Sequence, residues 1–149
     1  MAFRSPLLPL QRLRSSLERM AWLRVRTVHI QIGAASARLT ELQREAKDVR
    51  SSNLAALQKG VWGQDLRIDS TAALEHEQGK VMQLLDHLAR HRRAVEREFM
   101  KCRREREIVE NAIALERAAY EEERNRQEQA AIDDEVLQRM TRSRGETVS

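Results

Sequence analysis

Apolar residues recur along this chain at alternating steps of three and four. In the first half the stepping visits Ala21, Val25, Val28, Ile32, Ala35, Leu39, Leu42, Ala46, Val49, Asn53 and Ala56, and ten of these eleven are apolar. In the second half it visits Val81, Leu85, Leu88, Arg92, Val95, Phe99, Cys102, Arg106, Val109 and Ile113, of which eight of ten are apolar. Sustained a/d spacing among charged neighbours is the signature of a coiled-coil seam. Upstream, Leu10, Leu13 and Leu17 extend the first seam only through two successive steps of four, which reads as a stutter.

A break separates the two runs. Gly60 and Gly63 flank Val61 and Trp62, and Asp65, Asp69 and Ser70 offer N-caps for a following helix. The pattern therefore predicts a single all-α domain over 1–149, a long antiparallel two-helix coiled-coil hairpin. Helix one covers about 10–58, the turn about 59–66 and helix two about 67–142. Turning near Trp62, the hairpin sets Leu10 opposite a residue near 114, where the second seam also loses its apolar positions. Each arm is then about 75 Å long at 1.5 Å per residue. Beyond it, helix two is expected to overhang as a single polar helix.

Composition narrows the picture further. Of 149 residues, 34% are charged and only 3% aromatic, and the prolines are confined to Pro6 and Pro9. Such a chain makes long helices rather than sheets or the usual compact enzyme core. A single cysteine, Cys102, excludes an internal disulfide framework. The longest uncharged run, Thr27 to Ala37, is far too short to cross a bilayer. The apolar start from Ser5 to Gln11 is too short for a signal-peptide core and runs into Arg12. A cytoplasmic location is the expectation.

Charge supports the pairing. Residues 1–60 carry 11 basic and 4 acidic side chains, whereas residues 107–135 carry 3 basic and 10 acidic. An antiparallel hairpin brings part of the acidic stretch beside the basic start, and a parallel one would not.

Candidate chemistry is sparse. His87 and His91 stand at i and i+4, but Leu88 breaks the helical zinc-protease pattern and no third ligand is evident. Cys102 falls on a seam position, where a thiol acts as a small hydrophobe. There is no glycine-rich phosphate loop, and no catalytic triad or cleft carboxylate pair can be picked out. The expectation is no enzyme and no cofactor. The basic groups around Arg90 and Arg103 interleave with Glu96, Glu98, Glu105 and Glu107, and helix pairs such as Arg103–Glu107 and Arg106–Glu110 are expected. With no aromatic stacking platform beside them, nucleic acid is not an expected partner.

The opening Phe3-Arg4-Ser5-Pro6-Leu7-Leu8-Pro9-Leu10-Gln11-Arg12-Leu13-Arg14 resembles the start of flagellar export protein FliJ and its injectisome relatives (the YscO-like stalks). The run Arg124-Asn125-Arg126-Gln127-Glu128-Gln129 through Ala130-Ala131-Ile132-Asp133-Asp134-Glu135 is similar to that family's closing pattern. The resemblance implies a cytoplasmic, peripherally membrane-associated part of the type III export apparatus, either flagellar or injectisome. It further implies a stalk in the hexameric export ATPase (FliI-like) that contacts the export gate (FlhA-like), with export chaperones as further partners. Membrane association would then run through the apparatus only.

Two other readings remain open at this level, an unrelated homo-oligomeric coiled-coil scaffold and a type III export chaperone. The candidate partner-binding residues are Leu10, Arg12, Leu13 and Leu17 on helix one, Trp62 at the turn, and Tyr120, Ile132, Val136, Leu137 and Met140 on helix two. The alternatives are a local cap of the turn for Trp62, which is the favoured reading of that residue, and a frayed helix end for the terminal stripe.

Overall fold

The computed structural model describes residues 2–60 and 68–148, and at Ile68, Asp69, Thr147 and Val148 only the backbone. Two helices make up the fold, α1 (Leu8–Gln58) and α2 (Ile68–Val148), packed as an all-α hairpin with no strand among the described residues. No helix among them is long and apolar enough to cross a membrane.

The start of α1 follows from local chemistry. The Ser5 hydroxyl accepts a hydrogen bond from the Leu7 N–H at 3.1 Å, and the Leu8 N–H reaches the Ser5 carbonyl at 3.3 Å. Such side-chain turns satisfy donors that a first helical turn leaves orphaned. Pro9 then sits in that first turn, where the missing N–H costs nothing. At the other end the Gly60 N–H bonds the Leu57 carbonyl at 3.0 Å, with Gly60 at φ 73°. This left-handed conformation suits glycine and stops a helix.

The chain divides into two compact units, Leu17–Cys102 and Met1–Ser16 with Arg103–Ser149. In the first, Ala21, Val28, Ala35, Leu42, Ala46 and Val49 of α1 are buried, as are Leu88, Val95 and Cys102 of α2. Five of the six α1 residues recur every seventh position, the mark of a heptad seam. The remaining stepped positions, including Val25, Ile32, Leu39, Leu85, Arg92 and Phe99, are half-buried. Three heptads back along α1, from Arg50 to His29, correspond to three heptads forward along α2, from Glu75 to Glu96. That pairing makes the unit antiparallel. Gln78, itself on the seam, donates its side-chain amide to the Leu42 carbonyl at 3.3 Å.

In the second unit Val109 and Ile113 are buried, and Arg14 reaches Glu105 at 2.7 Å. Ser5 lies opposite Glu116 and Phe3 opposite Tyr120, so this pairing is antiparallel as well.

One sequence expectation needs correction. Leu10, Leu13 and Leu17 do not join the seam: all three are exposed, and at the seam spacing the half-buried positions are Leu7, Gln11, Arg14 and Glu18. Those positions continue the three-four spacing to Ala21 without a stutter. Reading apolarity alone picked the wrong face, because here polar side chains occupy the seam and are held by partners such as Glu105.

Candidate partner-binding site

The site expected near the termini falls in the unit formed by Met1–Ser16 and Arg103–Ser149. Its floor is polar. The Ser5 hydroxyl is buried and donates to Glu116 Oε2 at 2.5 Å, which ties the segment before α1 to α2. The Phe3 ring packs on Tyr120, centroids 5.5 Å apart, and the Arg117 guanidinium carbon stands 5.4 Å from the Phe3 centroid. Few aromatic rings are present in the chain, and two of them close this corner.

On α1, Leu10, Arg12 and Leu13 are exposed, Leu13 by 53%. Sequence reading missed two residues of α2, Ile108 at 67% and Leu115 at 72% exposed, each one position before a seam residue. Leu10 and Leu13 also directly precede the seam positions Gln11 and Arg14. The signal was available as apolar residues off the seam. Leu17 belongs to the other unit and is exposed there.

Among the described side chains Tyr120 is the last half-buried one of α2. From Glu121 to Glu146 every residue is exposed. Ile132, Val136 and Met140 recur at four-residue spacing with Leu137 beside them, so they line one side of this single helix. The acidic groups pair mainly within α2: Glu122 with Arg126 at 2.6 Å, Glu128 with Arg124 at 3.2 Å and Glu135 with Arg139 at 2.7 Å. The expected helix pairs Arg103–Glu107 and Arg106–Glu110 are present at 3.2 and 2.7 Å. Within this unit Arg14 forms an ion pair across to α2, with Glu105.

The remaining candidates lie elsewhere. Trp62 is outside the described residues. His87 and His91 are exposed, and the Cys102 thiol is buried with its sulfur 3.8 Å from Glu98 Oε1. Among the described residues no three His, Cys, Asp or Glu side chains gather in a way that could hold a metal ion. The surface carries exposed apolar residues along the paired segments, Leu10, Leu13, Ile108 and Leu115, and then the stripe on the single helix.

Comparison with curated proteins gave no match, and comparison with solved structures gave none either. The family profile described as "Flagellar FliJ protein" matches residues 3–145, nearly the whole chain. A match of that extent, on a two-helix hairpin with a polar terminal helix, places the chain in the flagellar FliJ protein family.

Proposed function

We propose that this chain, by its family a flagellar type III export component, serves as the stalk or adaptor that engages the hexameric export ATPase and links it to the export gate. The observation that carries the reading is the run of α2 beyond Tyr120. It is a single helix, exposed throughout to Glu146, and it bears the Ile132, Val136, Leu137 and Met140 stripe. A lone helix can enter a channel too narrow for a helix pair. An apolar stripe left exposed among the described residues supports a contact site. On this reading Leu10, Arg12 and Leu13 with Ile108 and Leu115 form the rim of the ATPase contact. Trp62 is the candidate gate contact. The role is non-catalytic, and association with the inner-membrane export apparatus follows from these two contacts.

The test is truncation after Tyr120, followed by co-purification with the hexameric ATPase and an ATPase stimulation assay. Lost stimulation with unchanged helicity of the remaining hairpin supports the reading. Full stimulation removes the terminal helix from the mechanism. A light-scattering mass of a stable oligomer without ATPase binding favours the scaffold reading, and capture of a secreted tail instead of the ATPase favours the chaperone.

A further inference from the structure

Within the unit Leu17–Cys102, α1 carries a face that the hairpin does not use. Ala21, Val25, Val28 and Ile32 lie on the seam. At about 100° per residue, the side of α1 away from that seam carries Arg19, Leu23, Arg26 and Ile30, with Trp22 at its edge. This outward side of a helix pair is ordinarily polar. Here Leu23, Ile30 and Trp22 are all exposed, Ile30 by 62%. The Arg26 guanidinium carbon stands 5.7 Å from the Trp22 ring centroid.

The charge on this stretch has one sign. No Asp or Glu occurs between Glu18 and Glu41, and the interval holds Arg19, Arg24, Arg26 and Arg38. Arg38 is tied to Glu41 at 3.1 Å, beyond the face in question.

Three kinds of occupant make different demands. A second copy meeting this face symmetrically would bring two sets of arginines together, and like charges oppose that. Nucleic acid would use the arginines but leave Leu23 and Ile30 without a role. An anionic bilayer surface uses every feature. Arginines take the headgroup phosphates, tryptophan settles at the headgroup level, and short aliphatic side chains reach the acyl boundary.

We propose that the outward face of α1 docks directly on an anionic lipid surface, with Arg19 and Arg26 on the headgroup phosphates, Trp22 at the headgroup level and Leu23 and Ile30 at the acyl boundary. This adds a contact of the chain's own to the expectation that membrane association runs only through the export apparatus. It does not depend on the ATPase reading.

The full chain carrying Trp62→Phe leaves Trp22 as its one tryptophan. It is mixed with vesicles of phosphatidylglycerol and phosphatidylcholine, and separately with phosphatidylcholine alone. Expected are co-sedimentation with the anionic vesicles only, weakening with salt, and a blue shift of Trp22 emission. Arg19→Glu with Arg26→Glu should lower partitioning by roughly tenfold or more, given the usual contribution of each basic residue. Leu23→Ser with Ile30→Ser provides an uncharged second variant, and circular dichroism checks that both stay helical. Absent binding at low salt, equal binding to phosphatidylcholine, or unchanged partitioning of both helical variants would overturn the proposal. A light-scattering dimer abolished by the same substitutions would also overturn it and assign the face to a second copy.

Discussion

Phe3 and Tyr120 close the terminal pairing of the two chain segments, their rings 5.5 Å apart and tilted by 47°. Phe3 precedes α1, so this contact, together with the Ser5–Glu116 hydrogen bond, holds the first residues against α2. An aromatic pair of this geometry contributes roughly 0.5–1.5 kcal/mol beyond its buried area. Tyr120→Ala should therefore destabilise the protein by about 1 kcal/mol. Amide exchange should rise chiefly at Phe3 to Leu10, with no change around Val28. Uniformly faster exchange would show that the ring pair stabilises the whole chain rather than its start.

Leu42 is the most completely buried large side chain, 1% exposed, and it also receives the Gln78 amide on its carbonyl. Leu42→Ala deletes apolar volume where Ala35 and Ala46 nearby have little to refill it. The expected loss is about 2–4 kcal/mol by urea unfolding. Leu84→Ala, at an exposed position of α2, should cost less than about 0.5 kcal/mol. Equal losses at the two positions would mean that the seam runs elsewhere.

Gly33 and Gly79 lie inside helices, and a Cβ built on either meets nothing within 4 Å. Each lowers helix stability through backbone entropy with no steric return. Gly33→Ala and Gly79→Ala should each raise stability by roughly 0.5–1 kcal/mol. Gly60→Ala should do the reverse, because Gly60 holds φ 73° at the end of α1. Thermal melts of the three single variants check the sign at each site.

The seam was legible in the sequence wherever apolar residues filled it. From Ala21 to Ala56 and from Val81 to Ile113, the positions visited by the three-four steps, Asn53, Arg92 and Arg106 included, are all buried or half-buried. It became illegible where polar residues took over. Gln11, Arg14 and Glu18 hold the seam positions while Leu10, Leu13 and Leu17 point out, and hydropathy alone prefers the leucines. Only the partner helix decides this, through contacts such as Arg14 to Glu105 that single-chain periodicity does not contain. The Phe3–Tyr120 contact was hidden for the same reason: the two rings are far apart in the chain and fall together only once the antiparallel register is set. The single terminal helix was legible to within a few residues: the apolar seam ends at Ile113, whereas Glu116 and Tyr120 still meet the chain start, through polar and aromatic contacts that the spacing does not contain.

That terminal helix yields the last prediction. From Glu121 to Glu146 no residue of α2 is shielded, so the stability it would draw from tertiary packing is missing. What remains is helix propensity together with local contacts such as the pairs Glu122–Arg126, Arg124–Glu128 and Glu135–Arg139 and the Gln129–Asp133 hydrogen bond at 2.9 Å. Each such pair contributes about 0.2–0.5 kcal/mol, and two of the three ion pairs place the acid before the base, the stronger orientation. The sum, on the order of 1 kcal/mol, is small beside the packing around Leu88, Val95, Val109 and Ile113. Amides of 121–146 should therefore exchange orders of magnitude faster than those of 88–113, with intermediate values only near Tyr120. Raising ionic strength should widen the difference, because it screens exposed ion pairs and leaves apolar burial intact. Bound to a partner along Ile132, Val136 and Met140, the same amides should become protected at the salt concentration that had loosened them. Protection of 121–146 equal to that of the seam in the free chain would contradict the single-helix state, and with it the availability of the stripe for a partner.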